Sequence, residues 1–166
     1  MGNFELTVSS CDFWINAYNC HCPIRNSQRL IRNSIDLSFR NSNSKFAILM
    51  VKSELEKRTR VFALRIIGFV AALPKNKVSD VTGYQLLKAG TSIGANYREA
   101  NRAESRNDFI HKIAIVEKEA AETQYWLELC SDAEIGDPKQ RRSRLQESAE
   151  LLAIFTRIGR TAKANK

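Results

Sequence analysis

Phe109, Ile113, Val116, Ala120, Thr123, Leu127 and Cys130 follow one another at intervals of 4, 3, 4, 3, 4 and 3. That spacing puts all seven on one face of an α-helix. A row this long has to be buried against other helices, and the same rhythm supplies them. Leu55, Thr59, Phe62, Ile66, Phe69 and Leu73 repeat it upstream, and Leu145, Ala149, Leu152, Thr156 and Gly159 repeat it downstream. Val61, Leu64, Ile67 and Val70 are expected to broaden the first face. Ile110, Ile115, Tyr125, Trp126 and Leu129 broaden the third, and Leu151, Ile154, Phe155 and Ile158 the last. A chain of 166 residues with seven Gly and three Pro accommodates one helical domain with such a core.

The punctuation agrees with the periodicity. Ser53 caps a first helix over Lys52–Leu73, and Pro74 stops it. The linker to the next helix is short, so the two lie side by side and antiparallel. The second helix starts near Ser79 and Asp80, with Ser79 as its N-cap, and runs to about Asn101. Val81, Tyr84, Leu87 and Ile93 give it bulk. Ser105 followed by Asp108 has the form of a capping box for the third helix. Gly136-Asp137-Pro138 breaks the chain before a fourth helix from Pro138 to about Ala162.

The stretch from Leu86 to Ala103 is unusual. Ala89, Gly90, Thr91, Ser92, Gly94 and Ala95 are nearly all small, and each Gly costs about 1 kcal/mol relative to Ala in a helix interior. Close approach of another helix or subunit explains them. A phosphate loop does not, because GxxxxGK[ST] is absent. Then Asn96, Arg98, Glu99, Asn101 and Arg102 form a polar run. It reads either as a solvated helix end with intrahelical ion pairs or as a ligand or partner surface.

Charge narrows the partners. The net charge is +8, of which +6 lies in residues 50–166, so polyanions are favoured. Lys139, Arg141, Arg142 and Arg144 crowd the start of the fourth helix, where the helix dipole is positive. A negatively charged partner would offset that. Arg157, Arg160, Lys163 and Lys166 lie at the favourable end of the same helix.

Residues 1–49 have a different composition. Ile24-Arg25-Asn26-Ser27 recurs as Ile31-Arg32-Asn33-Ser34 and, after a further eight residues, as Phe39-Arg40-Asn41-Ser42. The segment lacks a sustained apolar face, and it reads as a disordered or non-native N-terminal extension ahead of a natural start at Met50. Cys11, Cys20, His21 and Cys22 lack the paired spacing of a zinc site. His21 and His111 each lack a Glu three residues earlier, so the chain carries no Glu-x-x-His of a di-iron bundle. Cys130 reads as a buried thiol in a reducing cytoplasm. The most apolar window, Val61–Leu73, is too short to span a bilayer and contains Arg65. No catalytic constellation, cofactor site or metal site is visible, so a non-enzyme is expected.

The run Gly90-Thr91-Ser92-Ile93-Gly94-Ala95-Asn96-Tyr97-Arg98-Glu99-Ala100, then Asp108-Phe109-Ile110-x-Lys112 and Lys118-Glu119-Ala120-x-Glu122-Thr123-x-Tyr125-Trp126-Leu127, resembles a bacterial family. That family is the "four helix bundle protein" family, whose genes sit within intervening sequences of large-subunit ribosomal RNA genes. The resemblance covers Lys52 to about Ala162. It implies an all-α, up-down-up-down, left-handed four-helix bundle over residues 50–166, assembled as a homopentamer with a central channel. The family is similar to the accessory protein of diversity-generating retroelements, a basic pentamer that associates with a reverse transcriptase and RNA. No catalytic residue carries over. The expected function is RNA or other nucleic-acid binding by a ring, through Asn96, Arg98, Glu99, Asn101, Arg102, Arg141, Arg142 and Arg144. A protein-interaction scaffold without nucleic-acid contact is the alternative.

Overall fold

The computed structural model describes the backbone of residues 44–164 and the side chains of residues 51–164. The expectations for residues 1–43, the Cys-His-Cys run and the Asn-Ser repeats included, lie outside the described residues. Four helices make up the described chain: α1 Ser44–Ala71, α2 Lys77–Ala100, α3 Arg106–Asp132 and α4 Pro138–Ala164. No strand occurs among the described residues. The fold is the expected four-helix bundle. Its first helix begins eight residues before Lys52.

One core runs the length of the bundle. Phe62, Ile66 and Phe69 of α1, Leu86, Ile93 and Tyr97 of α2, Ile113, Val116 and Leu127 of α3, and Leu151, Phe155 and Ile158 of α4 are all buried in it. The rings of Tyr97 and Phe155 meet across it with centroids 5.2 Å apart. The two threonines of the rows are satisfied locally. Thr59 Oγ1 donates to Glu56 O at 3.0 Å and Thr123 Oγ1 to Glu119 O at 2.7 Å. Each threonine therefore sits in an apolar row without an orphaned hydroxyl.

The third row is buried as its spacing predicts, with Phe109 only partly covered. Four other expectations need correction. In α2 the buried row is Ser79, Gly83, Leu86, Gly90, Ile93, Tyr97 and Ala100, while Val81 and Tyr84 are exposed. Its N-cap is Asn76, whose Oδ1 accepts from Ser79 N at 2.9 Å, so Ser79 lies inside the helix. In α4 the row is Ser148, Leu151, Phe155, Ile158 and Ala162, one residue round from the expected set, with Gly159 also buried. Phe155, Leu151 and Ile158 outweigh Ala149, Thr156 and Gly159 in apolar area, so they turn inward. In α1 only Val70 broadens the core face; Val61, Leu64 and Ile67 are exposed.

The small residues of α2 admit α1. A Cβ on Gly83 would lie 3.1 Å from Val70, one on Gly90 3.1 Å from Ile66, and one on Gly94 3.5 Å from Thr59. The rising α2 numbers meet falling α1 numbers, so the two helices run antiparallel. Packing is uneven, however. α3 lies closely against both α2 and α4, whereas α1 packs mainly on α2 and touches α4 little.

That thin seam holds an ion cluster. Arg58 Nε donates to Glu147 Oε1 at 2.7 Å and Arg58 Nη2 to Glu150 Oε2 at 2.5 Å. Burial alone would lower the Arg58 pKa, but the two carboxylates outweigh it and hold the guanidinium above its ordinary value. Glu150, whose side chain is 8% exposed, depends on this cation for its charge compensation.

Candidate nucleic-acid interface

The eight residues singled out in the sequence divide between two opposite ends of the bundle. Asn96, Arg98, Glu99, Asn101 and Arg102 lie at the end where α2 finishes and α3 begins. Arg141, Arg142 and Arg144 lie at the other end, where α3 finishes and α4 begins. No single surface gathers them.

At the first end several of the polar side chains serve the fold. Asn96 Nδ2 donates to Ser92 O of its own helix at 2.9 Å. Asn101 follows α2 as its C-cap, and its Nδ2 donates to Glu56 Oε1 at 2.8 Å, tying α2 to α1. Glu99 lies 3.6 Å from Lys112 Nζ, which also approaches Asp108 at 3.8 Å. Asp108 belongs to the α3 cap: its N donates to Ser105 Oγ at 3.1 Å, and its Oδ2 accepts from Glu104 N at 3.2 Å. Arg106 Nη2 donates to Ala162 O at 2.7 Å, closing the last turn of α4. Arg98 and Arg102 are exposed, and neither side chain has a hydrogen bond or ion pair among the described residues. They are the free cations among the five.

At the second end Arg141 is 8% exposed and points into the fold. Its Nη1 donates to Cys130 O at 2.7 Å and to Ser131 O at 3.3 Å, the last carbonyls of α3. A cation there complements the negative end of the α3 dipole. This residue therefore caps α3 and is not offered to a ligand. Arg142 is exposed and, with Lys139, Ser143, Gln146 and Pro138, lines a shallow groove. Arg144 is half-buried. Its Nη2 meets Gln140 Oε1 at 3.3 Å, and its Nε is buried without an acceptor. Burial, then the charge of Arg65 on α1, lower its pKa, and Asp137 opposes them. Asp137 is itself engaged at the start of α4, where its Oδ1 accepts from Gln140 N at 2.7 Å.

Arg65 is the residue that sequence reasoning passed over. It reads there as one polar position among several on α1. The link is the Arg58 cluster: with Arg58 opposite Glu147 and Glu150, two turns further along α1 brings Arg65 level with Arg144. Two separate cationic patches flank the start of α4: Lys139 and Arg142 on the groove, and Arg144 with Arg65 on the side towards α1. Like charges gathered at the positive end of a helix dipole attract an anion. Among the described residues no group of His, Cys, Asp and Glu is placed to hold a metal ion. No helix among them is long and apolar enough to cross a membrane.

Comparison with known proteins places this bundle. The family model described as the 23S rRNA-intervening sequence protein matches residues 52–157. A crystal structure of a protein with unknown function from the S23 ribosomal protein family of Bacteroides thetaiotaomicron is 38% identical, with a TM-score of 0.61. The match covers 66% of this chain and 97% of that one. Among curated proteins nothing matches. The matched span takes in α2 and α3 whole, with most of α1 and α4, and the chain belongs to the 23S rRNA-intervening sequence protein family.

Proposed function

We propose that the protein is a non-enzymatic, self-associating bundle that binds structured RNA through exposed cations at its ends. The observation that supports this reading best is the gathering of two cationic patches at one end of the bundle, Lys139 with Arg142 and Arg144 with Arg65. Arg144 there has a buried Nε without an acceptor and a like charge for a neighbour. An RNA phosphate beside the half-exposed Arg144 guanidinium cancels the repulsion from Arg65. Arg98 and Arg102 supply a second contact at the far end. The family's tie by name to 23S rRNA intervening sequences makes RNA the polyanion of choice. A ring of copies, pentameric as the resemblance implies, repeats each patch around an axis and multiplies weak phosphate contacts into useful affinity.

The chemistry is backbone recognition. Neither patch contains an aromatic side chain, so bases have nothing to stack on, and A-form shape with phosphate spacing is what such a surface reads. The test is fluorescence anisotropy of the full chain with a labelled RNA hairpin at two salt concentrations. Neutralising three phosphates per subunit gives about a 40-fold loss of affinity between 50 and 200 mM salt. Arg142→Glu is expected to weaken binding and flatten that slope. Affinity that ignores salt, or is untouched by Arg142→Glu and Arg98→Glu together, refutes the reading. A partner that copurifies and stays bound after nuclease treatment supports the protein scaffold instead.

A further inference from the structure

Beside the exposed Val78, Val81 and Tyr84 of α2, two apolar patches of complementary border have no use inside this subunit. The first is the outer side of α1. Val61, Leu64, Gly68 and Ala71 are spaced 3, 4 and 3 apart, which makes a second row on the side of the helix facing away from the core. Ile67 stands beside them. Leu64 is 57% exposed, and Val61 and Ile67 are each 45% exposed. A Cβ on Gly68 would meet nothing within 4 Å. Glycine mid-helix is unfavourable, and no neighbour in the subunit accounts for it. Arg60 beside Leu64 gives this side a positive border, to which Lys57, paired with Glu54 at 2.8 Å, adds no net charge.

The second patch is the outer side of α3. Tyr125 is 53% exposed and Leu129 37% exposed, and the Tyr125 ring is steadied by Trp126 at 5.2 Å. Its border is mainly acidic: Glu122, Glu128 and Asp132, with Lys118 two turns before Tyr125. Glu122 and Glu128 accept hydrogen bonds from Trp126 and Gln124 of the same helix, and both keep their charge available at the surface.

α1 and α3 do not touch each other, since α2 and α4 lie between them. The patches therefore sit on diagonally opposite corners and face away from one another. One is apolar with a basic border, the other apolar with an acidic border. Two such surfaces complement each other only between different copies of the chain, in a head-to-tail contact. We propose that the outer row of α1 in one copy packs on the outer face of α3 in the next, with Gly68 letting the neighbouring helix come close. The contact rests on the self-association proposed above and specifies the surfaces that carry it.

Sedimentation velocity on the full chain tests this with two surface variants, Leu64→Glu and Leu129→Glu, whose helical content by circular dichroism serves as the folding control. Wild type is expected to sediment as an oligomer and each variant alone as a monomer. Mixed in equal amounts, the variants are expected to form a species of twice the monomer mass and nothing larger. The Leu64→Glu copy keeps its α3 face and the Leu129→Glu copy keeps its α1 face, so one intact contact survives. A monomeric wild type overturns both self-association and this contact. An oligomeric wild type overturns this contact alone if either variant keeps the wild-type mass or if the mixture stays monomeric.

Discussion

Replacing Arg58 with Met removes the cation that two glutamates of α4 share and leaves a side chain of similar length. The consequence follows from burial. Glu150 is 8% exposed on its side chain and loses its only ion-pair partner among the described residues, keeping a hydrogen bond from Gln146 at 3.3 Å. Breaking a buried pair by removing one partner costs about 3–5 kcal/mol. Arg58 and Glu147 keep 18% and 19% of their side-chain surface in solvent, which softens the loss to about 2–4 kcal/mol. Because α1 touches α4 so little elsewhere, few other contacts on this seam make good the deficit. Urea denaturation followed by circular dichroism at fixed protein concentration measures the change. Glu150→Gln and the double variant Arg58→Met/Glu150→Gln complete a cycle. The expected coupling is about 2 kcal/mol, with the double variant recovering part of the stability lost by Arg58→Met. A coupling below about 0.5 kcal/mol refutes the idea that this cluster fastens α1 to α4.

Gly136→Ala is expected to destabilise by about 2–4 kcal/mol, from left-handed backbone strain and overpacking together. Its φ is +80°, and a Cβ would lie 2.8 Å from both Leu73 and Phe69; an unchanged urea midpoint contradicts this. The Cys130 thiol is buried, and burial raises its pKa above 9.0 against the opposing charge of Arg141. Alkylation at pH 8 with peptide mass mapping should therefore leave Cys130 unmodified in the native protein and modify it in urea. Because the folded pKa exceeds the unfolded one, the group's stabilising contribution is complete below pH 9.0 and is lost as pH rises through the folded value. A urea midpoint that rises between pH 9 and 11 would contradict the sign.

The legible parts of the fold were those written in apolar bulk at fixed spacing. The α3 row is unbroken from Ile113 to Cys130, and Ser105 caps the helix as the pattern predicts, while Asp108 reaches back one residue further, to Glu104 N. The α2 row was hidden because Ser79, Gly83 and Gly90 carry no apolar bulk, although they keep the 4-3 interval. Only the opposing Val70 and Ile66 show why they are small. α4 offers two adjacent rows of similar spacing, and the choice between them depends on which fills more of the core. The candidate site was harder to read, since its key relations span long separations. Arg58 finds Glu147 and Glu150 across 89 and 92 residues. Arg141 has the look of a surface cation in a basic run, and only the position of the α3 carboxyl end shows that it is occupied.

The placement of the free cations at opposite poles has a metric consequence. α2 and α3 run without interruption between them, 24 and 27 residues long, or about 36–40 Å at 1.5 Å per residue. If the proposed RNA binding holds, one copy acts as a rigid gauge bar. A folded nucleic acid that reaches both poles has to offer phosphates that distance apart, so selection among targets can be made by span, with no base being read.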